Sequence, residues 1–188
     1  MTELIIAGFG GQGVSVAGFI LAEAAMGLGW TVTWFPSYGA EMRGGTANSH
    51  VKIADGEIAS PYVTKPDYLI ILNETSLDKF EKRLKPGGML VINTSLVRTG
   101  RGYRKDIKFA RLPATEIAIG FNNAKGANIA MLGAFCAVSR IFEPEYLRNA
   151  VDSHFAGKGK HNPKNALCFN AGFESGMVIY EHMQTAEA

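Results

Sequence analysis

Leu4-Ile5-Ile6-Ala7-Gly8-Phe9-Gly10-Gly11-Gln12-Gly13-Val14 sets an apolar run directly before a glycine-rich turn. The run has no polar alternation, which is the pattern of a strand covered on both faces. Beyond the turn the period changes. Val16, Phe19, Ile20 and Ala24 recur at helical spacing while Glu23 falls on another face, so a helix is expected over Val14 to Met26. Strand, Gly-x-Gly-x-x-Gly turn and helix, in that order, form the opening unit of an α/β sheet.

The rest of the chain repeats this alternation. Its 188 residues, 47% hydrophobic and 19% charged, suffice for one domain, 1–188, that removes roughly 70% of its unfolded surface from water. Further strands are expected at Thr31–Phe35, Asn48–Ile53, Tyr68–Leu72, Met89–Asn93 and Ile107–Leu112. The segment Asn48 to Ser60 alternates in polarity and carries Asp55-Gly56, a tight-turn signal that predicts an added antiparallel hairpin. A helix over Thr75–Leu84 should open on a Thr75 cap and stop at Pro86-Gly87-Gly88. Asn128 to Arg140 is rich in Ala, Gly and Met, as in a closely packed helix. A first-turn Pro144 and a capping Asn162 before Pro163 open two last helices, the second running toward Met183. Met26, Met89, Met131, Phe19, Phe135 and Phe142 are expected in the core. The fold class that results is single-domain, Rossmann-like α/β, with a mostly parallel sheet, helices on both faces and an added β-hairpin.

Several functions are excluded or disfavoured by composition. A net charge of +2 does not suggest a nucleic-acid binder. Cys136 and Cys168 have no CxxC spacing and are too few to hold an iron-sulfur cluster or a four-thiolate zinc site. Both are expected buried and inert. His50, His154, His161 and His182 lack metal spacing, and Gly-x-Ser-x-Gly is absent. Met1-Thr2-Glu3 has no basic leader and Val14 to Leu28 is interrupted by Glu23, so a cytoplasmic protein without a membrane segment is expected.

Two loops are candidates for function. In the first, Gly8, Gly10, Gly11, Gln12 and Gly13 bring backbone close to a ligand, and the N–H groups around Gly13 to Val16 can receive an anion such as a phosphate. The alternative is a tight connection that only packs. A dinucleotide would need an acidic residue at the end of the second strand, where Trp34-Phe35-Pro36-Ser37 offers none. The second loop, Ser37 to Asn48, gathers Tyr38, Glu41, Arg43, Gly44, Gly45 and Asn48 at the carboxyl end of a strand, where open α/β sheets bind ligands. Glu41 and Arg43 could pair to shape it. Arg98 to Arg111 holds six basic residues against Asp106 alone, and Gly157 to Asn162 adds Lys158 and Lys160. Each is either a solvated face or a site for phosphates or an acidic partner.

GFGGQGV at Gly8 to Val14, YGAEMRGGTANSHV at Tyr38 to Val51 and AKGANIAMLGA at Ala124 to Ala134 together resemble the gamma chain of the 2-oxoacid:ferredoxin (or other acceptor) oxidoreductases. The resemblance spans most of the chain. It implies a part in converting a 2-oxoacid and coenzyme A to an acyl-CoA, carbon dioxide and two low-potential electrons for ferredoxin or another acceptor. Thiamine diphosphate, Mg and iron-sulfur clusters would sit in the partner alpha and beta chains, and in a delta chain where one is present. This chain would be inactive alone and hold no cofactor of its own, with the two loops enclosing coenzyme A or meeting a partner. The resemblance favours 2-oxoglutarate as substrate, ahead of branched-chain or aryl 2-oxoacids and pyruvate, with indolepyruvate oxidoreductase a related alternative. A free-standing nucleotide-binding protein and a purely architectural subunit are the rival readings. A chain built for a complex should expose an apolar patch and self-associate when isolated.

Overall fold

Successive side chains along each strand point to opposite faces of a single sheet and build an apolar layer on each. A computed structural model describes residues 1–38, 46–98 and 100–187, with side chains described to residue 179. The elements are β1 (Thr2–Phe9), α1 (Val14–Gly27), β2 (Thr31–Tyr38), β3 (Thr46–Ala54), β4 (Tyr68–Ile71), α2 (Glu74–Phe80), a 3-10 turn Glu81–Arg83, β5 (Met89–Asn93), β6 (Lys108–Leu112), α3 (Ala114–Gly120), α4 (Ala127–Ser139), α5 (Pro144–Ala156) and α6 (Lys164–Glu187).

The six strands lie in the order β2-β3-β1-β4-β5-β6. β1, β4, β5 and β6 pair in parallel, whereas β3 is antiparallel to both β1 and β2. The sheet is thus mostly parallel, as expected, but the antiparallel pair forms differently. β2 and β3 pair from Thr31–Ala54 to Tyr38–Ala47, and Asp55-Gly56 merely ends β3, with no strand after it until Tyr68. The reason is that β3 is buried along both faces and already has a strand on each side.

On one face Leu4, Ile6, Ile70, Leu72 and Val91 pack under α1, α3, α4, α5 and α6. On the other, Ile5, Ala7, Leu69, Ile71, Leu90 and Ile92 pack under α2 with Val63, Leu84, Val97 and Ile107. Small residues let α4 and α6 meet backbone to backbone. A Cβ on Gly133 would collide with the Phe169 carbonyl, and one on Gly172 with that of Ala130.

Three local expectations are corrected. The cap of α2 is Asn73, whose Oδ1 accepts the Ser76 N–H at 2.9 Å, and the helix stops at Phe80 rather than Leu84. α3 was not anticipated. Met26 is exposed on α1 rather than in the core. Among the described residues, no helix is long and apolar enough to cross a membrane.

Candidate functional site

The glycine turn is held from inside. Gln12 folds back so that Oε1 accepts the Phe9 N–H at 2.6 Å and the Asn73 Nδ2–H at 2.8 Å. Its carbonyl-type oxygen is therefore spent on the turn and not offered to a ligand. Gly8, one residue before the end of β1, lies against Gln12 and Leu72, Gly10 is exposed, and Gly11 (φ 96°) faces open space. Gly13 adopts φ 75°, a left-handed conformation costly for other residues, and a Cβ there would collide with the Asn128 amide.

This turn delivers α1 with its N-terminus open. No side chain caps it and no acidic residue lies in its first turn. The Ala17 N–H bonds back to the Gly13 carbonyl at 2.9 Å, and the N–H groups ahead of it have no acceptor within the helix. Beside them is a cavity of about 310 Å³ lined by Gly11, Gly13, Val16, Lys125, Asn128 and Lys160, with Asn123, Asn162 and Asn165 in its wall. The wall is braced by Asn123 Nδ2 donating to Asn165 Oδ1 at 2.9 Å and Asn162 Nδ2 to Asn123 Oδ1 at 3.3 Å.

Asn128 is 4% exposed. Its Nδ2 donates to the Gly13 carbonyl at 3.1 Å, while its Oδ1 is buried without a hydrogen-bond partner among the described residues. An unmet buried acceptor costs about 1–3 kcal/mol. Together, the cations and the helix N-terminus suit a ligand that carries a phosphate.

The second loop is placed only in part. Tyr38 stands at the end of β2, 67% exposed, with its hydroxyl donating to Ser15 Oγ in the first turn of α1 at 2.7 Å. The two predicted loops therefore start side by side. Glu41, Arg43, Gly44 and Gly45, with the Glu41–Arg43 pairing, lie outside the described residues. Asn48 is corrected. It sits on the central strand β3, buried, with Oδ1 bonded to His50 Nε2 at 3.0 Å, and is not a loop residue open to a ligand.

His50 is 1% exposed, and its Nδ1 accepts the Val63 N–H at 2.9 Å. The proton must then be on Nε2, pointing at Asn48. Burial, aided by the positive charges of Arg83 and Lys52, pulls its pKa down to about 4. It is a neutral structural group.

The basic stretch after Arg98 is also corrected. Arg101 is locked among Glu74 at 2.8 Å, Asp78 at 2.7 Å and Glu81 at 3.0 Å. Arg104 pairs with Asp106 at 2.6 Å and donates to the Glu81 and Leu84 carbonyls. Arg111 lies 4.8 Å from the ring centres of Tyr103 and Phe109. These charges fasten the 94–107 loop onto α2 instead of facing a phosphate. Both thiols are buried, and burial pushes Cys136, next to the Glu143 charge, up to about 12. Thiols so held are poor ligands for an iron-sulfur cluster.

The sequence profile of the pyruvate ferredoxin/flavodoxin oxidoreductase family matches residues 3–175. The chain belongs to this family. It is 38% identical over 170 residues to ketoisovalerate oxidoreductase subunit VorA of Methanothermobacter thermautotrophicus, covering 90% of this chain but only 35% of VorA. It therefore spans about a third of that relative's length. It is 37% identical over 175 residues to 2-oxoglutarate synthase subunit KorC of Methanocaldococcus jannaschii, covering 92% of each. The keto/oxoacid ferredoxin oxidoreductase gamma subunit of Geobacter sulfurreducens PCA superposes with a TM-score of 0.80 at 30% identity, over 95% of this chain and 99% of that one.

Sequence reasoning did not single out Lys125 and Asn128 as site residues. Both lie within the Ala124–Ala134 stretch already marked by resemblance. That stretch opens α4, which is what carries Asn128 to the glycine turn.

Proposed function

We propose that this chain is the gamma subunit of a thiamine-dependent 2-oxoacid:ferredoxin oxidoreductase, and that its glycine turn helps hold coenzyme A at the reaction centre. The single observation behind the coenzyme A role is the cavity in which Lys125, Lys160 and Asn128 meet the uncapped N-terminus of α1. Coenzyme A offers what this cavity suits, phosphates for the lysines and the helix N-terminus. Tyr38, whose hydroxyl donates to Ser15 at the start of α1, stands at the same edge and would help keep water from the reactive intermediate.

Thiamine diphosphate with Mg, and the iron-sulfur clusters, belong in this reading to the alpha and beta chains, or to a delta chain, and supply carbanion stabilisation and electron transfer to ferredoxin there. This chain's own residues bind and orient the acyl acceptor. The favoured substrate is 2-oxoglutarate, supported by KorC relatives that align over nearly their whole length.

The test is steady-state kinetics of the complex reconstituted with its alpha and beta partners. Replacing Lys125 and Lys160 together by Ala should raise the KM for coenzyme A by about tenfold, equivalent to about 1.4 kcal/mol of lost binding. The KM for the oxoacid should stay unchanged. Unaltered coenzyme A saturation in a fully assembled variant would refute the coenzyme A role, and a panel of oxoacids decides the substrate.

A further inference from the structure

We propose that a basic trough at the opposite end of the sheet docks an acidic polypeptide segment of a partner protein. The trough, about 600 Å³, is lined by Tyr62, Lys65, Lys82, Arg83, Pro86 and Arg104 among others, none of them a carboxylate. It lies where the chain approaches the starts of β4 at Tyr68 and β5 at Met89, while the glycine turn follows the carboxyl end of β1. The two sites are therefore separate, and this inference does not rest on the coenzyme A reading. Of the four cations on the trough Arg104 is neutralised by Asp106 at 2.6 Å, and Lys65, Lys82 and Arg83 remain a local concentration of charge in a chain whose net charge is only +2.

Two of these cations are fixed in place. Arg83 donates from Nε to the Thr64 carbonyl at 3.2 Å and from Nη2 to that of Val63, with its guanidinium 5.4 Å from the Tyr62 ring centre and 5.3 Å from that of Phe80. Arg104 spends all three nitrogens on Asp106 and on the Glu81 and Leu84 carbonyls. Charges already held this way lose little freedom when a partner arrives. Lys65 and Lys82 are exposed and have no hydrogen bond or ion pair among the described residues.

The distribution of free donors selects the ligand class. A phosphate group is best held by several N–H donors converging on one point. Here Arg104 keeps one N–H, Arg83 keeps both of Nη1 and one of Nη2, and the two ammonium groups come from different segments, one before β4 and one on the 3-10 turn, so the free donors are spread along the trough. Separated point charges match carboxylates spaced along an extended chain. Tyr62, 49% exposed, and Pro86 supply the apolar contact that such an interface needs at its centre.

The experiment is a titration of the full chain with a short fluorescein-labelled oligoglutamate at low ionic strength, followed by fluorescence anisotropy. Saturable binding is expected, weakened by about tenfold or more in K65E/K82E and by less than about twofold in K125E/K160E at the other end of the sheet. The charge-neutral K65Q/K82Q variant should also bind more weakly and serves if the reversal perturbs folding. Absence of saturable binding, or equal losses in the two reversal variants, would overturn the proposal. Inorganic phosphate or ATP that displaces the peptide far better than sodium chloride of equal ionic strength would also overturn it, in favour of a phosphate ligand.

Discussion

Asn128 on α4 donates its amide N–H to the carbonyl of Gly13, tying two residues 115 positions apart at 3.1 Å. That bond fixes the residue preceding α1 against the helix that walls the cavity, so the shape of the turn and the cavity depend on each other. Gly13→Ala should incur both the left-handed backbone cost of about 1–2 kcal/mol and a collision with the Asn128 side chain. Asn128→Ala removes the colliding atoms. In urea unfolding, the double variant should therefore be less destabilised than the sum of the singles by about 1 kcal/mol or more, whereas strict additivity would show that the two residues are uncoupled.

Acid should loosen the β3 face through His50. Its folded pKa of about 4 lies below the ordinary histidine value of 6.5, so between those values the unfolded chain binds the extra proton. The stabilisation is complete above about pH 6.5 and is lost as pH falls toward 4. The loss should reach about 2–3 kcal/mol at the lower end. His50→Gln, measured beside the parent protein across this range, should remove most of the slope, and parallel curves for the two proteins would be the contrary result.

Gly172→Ala probes the seam between α4 and α6, where the added methyl meets the Ala130 carbonyl. Overpacking of this kind costs about 1–3 kcal/mol. Thermal unfolding should show the loss, and an unchanged midpoint would mean that the helices can separate freely.

Arg101 is the counter-charge for Glu74, Asp78 and Glu81. Its removal leaves three carboxylates facing one another. Arg101→Gln should destabilise by about 1–3 kcal/mol at low salt, less than a fully buried pair because the cluster borders solvent. Added salt should narrow the gap by screening the repulsion. A gap that is independent of salt would argue against charge as its cause.

Much of the fold is legible in the sequence because the strands are continuous apolar runs that make sense only when covered on both sides. Asp55-Gly56 correctly marks where β3 ends, but a turn signal does not say which strand lies alongside, and the partners proved to be β1 and β2. Thr75 and Asn73 are both good capping residues, and only geometry distinguishes them. α3 has seven residues after Pro113, too few for a periodic signal. At the site, the glycine turn is visible as a motif, yet Asn128 becomes relevant only when α4 folds back on it. The Arg98–Arg111 stretch shows its positive charge plainly but not the carboxylates of residues 74–81 that absorb it.

The two layers flanking the sheet are unequal, with α1, α3, α4, α5 and α6 over one and α2 over the other. The thinner side relies on Leu77, Phe80 and Leu84 and on guanidinium-carboxylate clamps from the 94–107 loop. Brine and low pH weaken such clamps far more than they weaken hydrocarbon contact. Amide protons of α2 should thus trade with deuterium ahead of those in α4, giving the protein one hinged shutter on an otherwise sealed body.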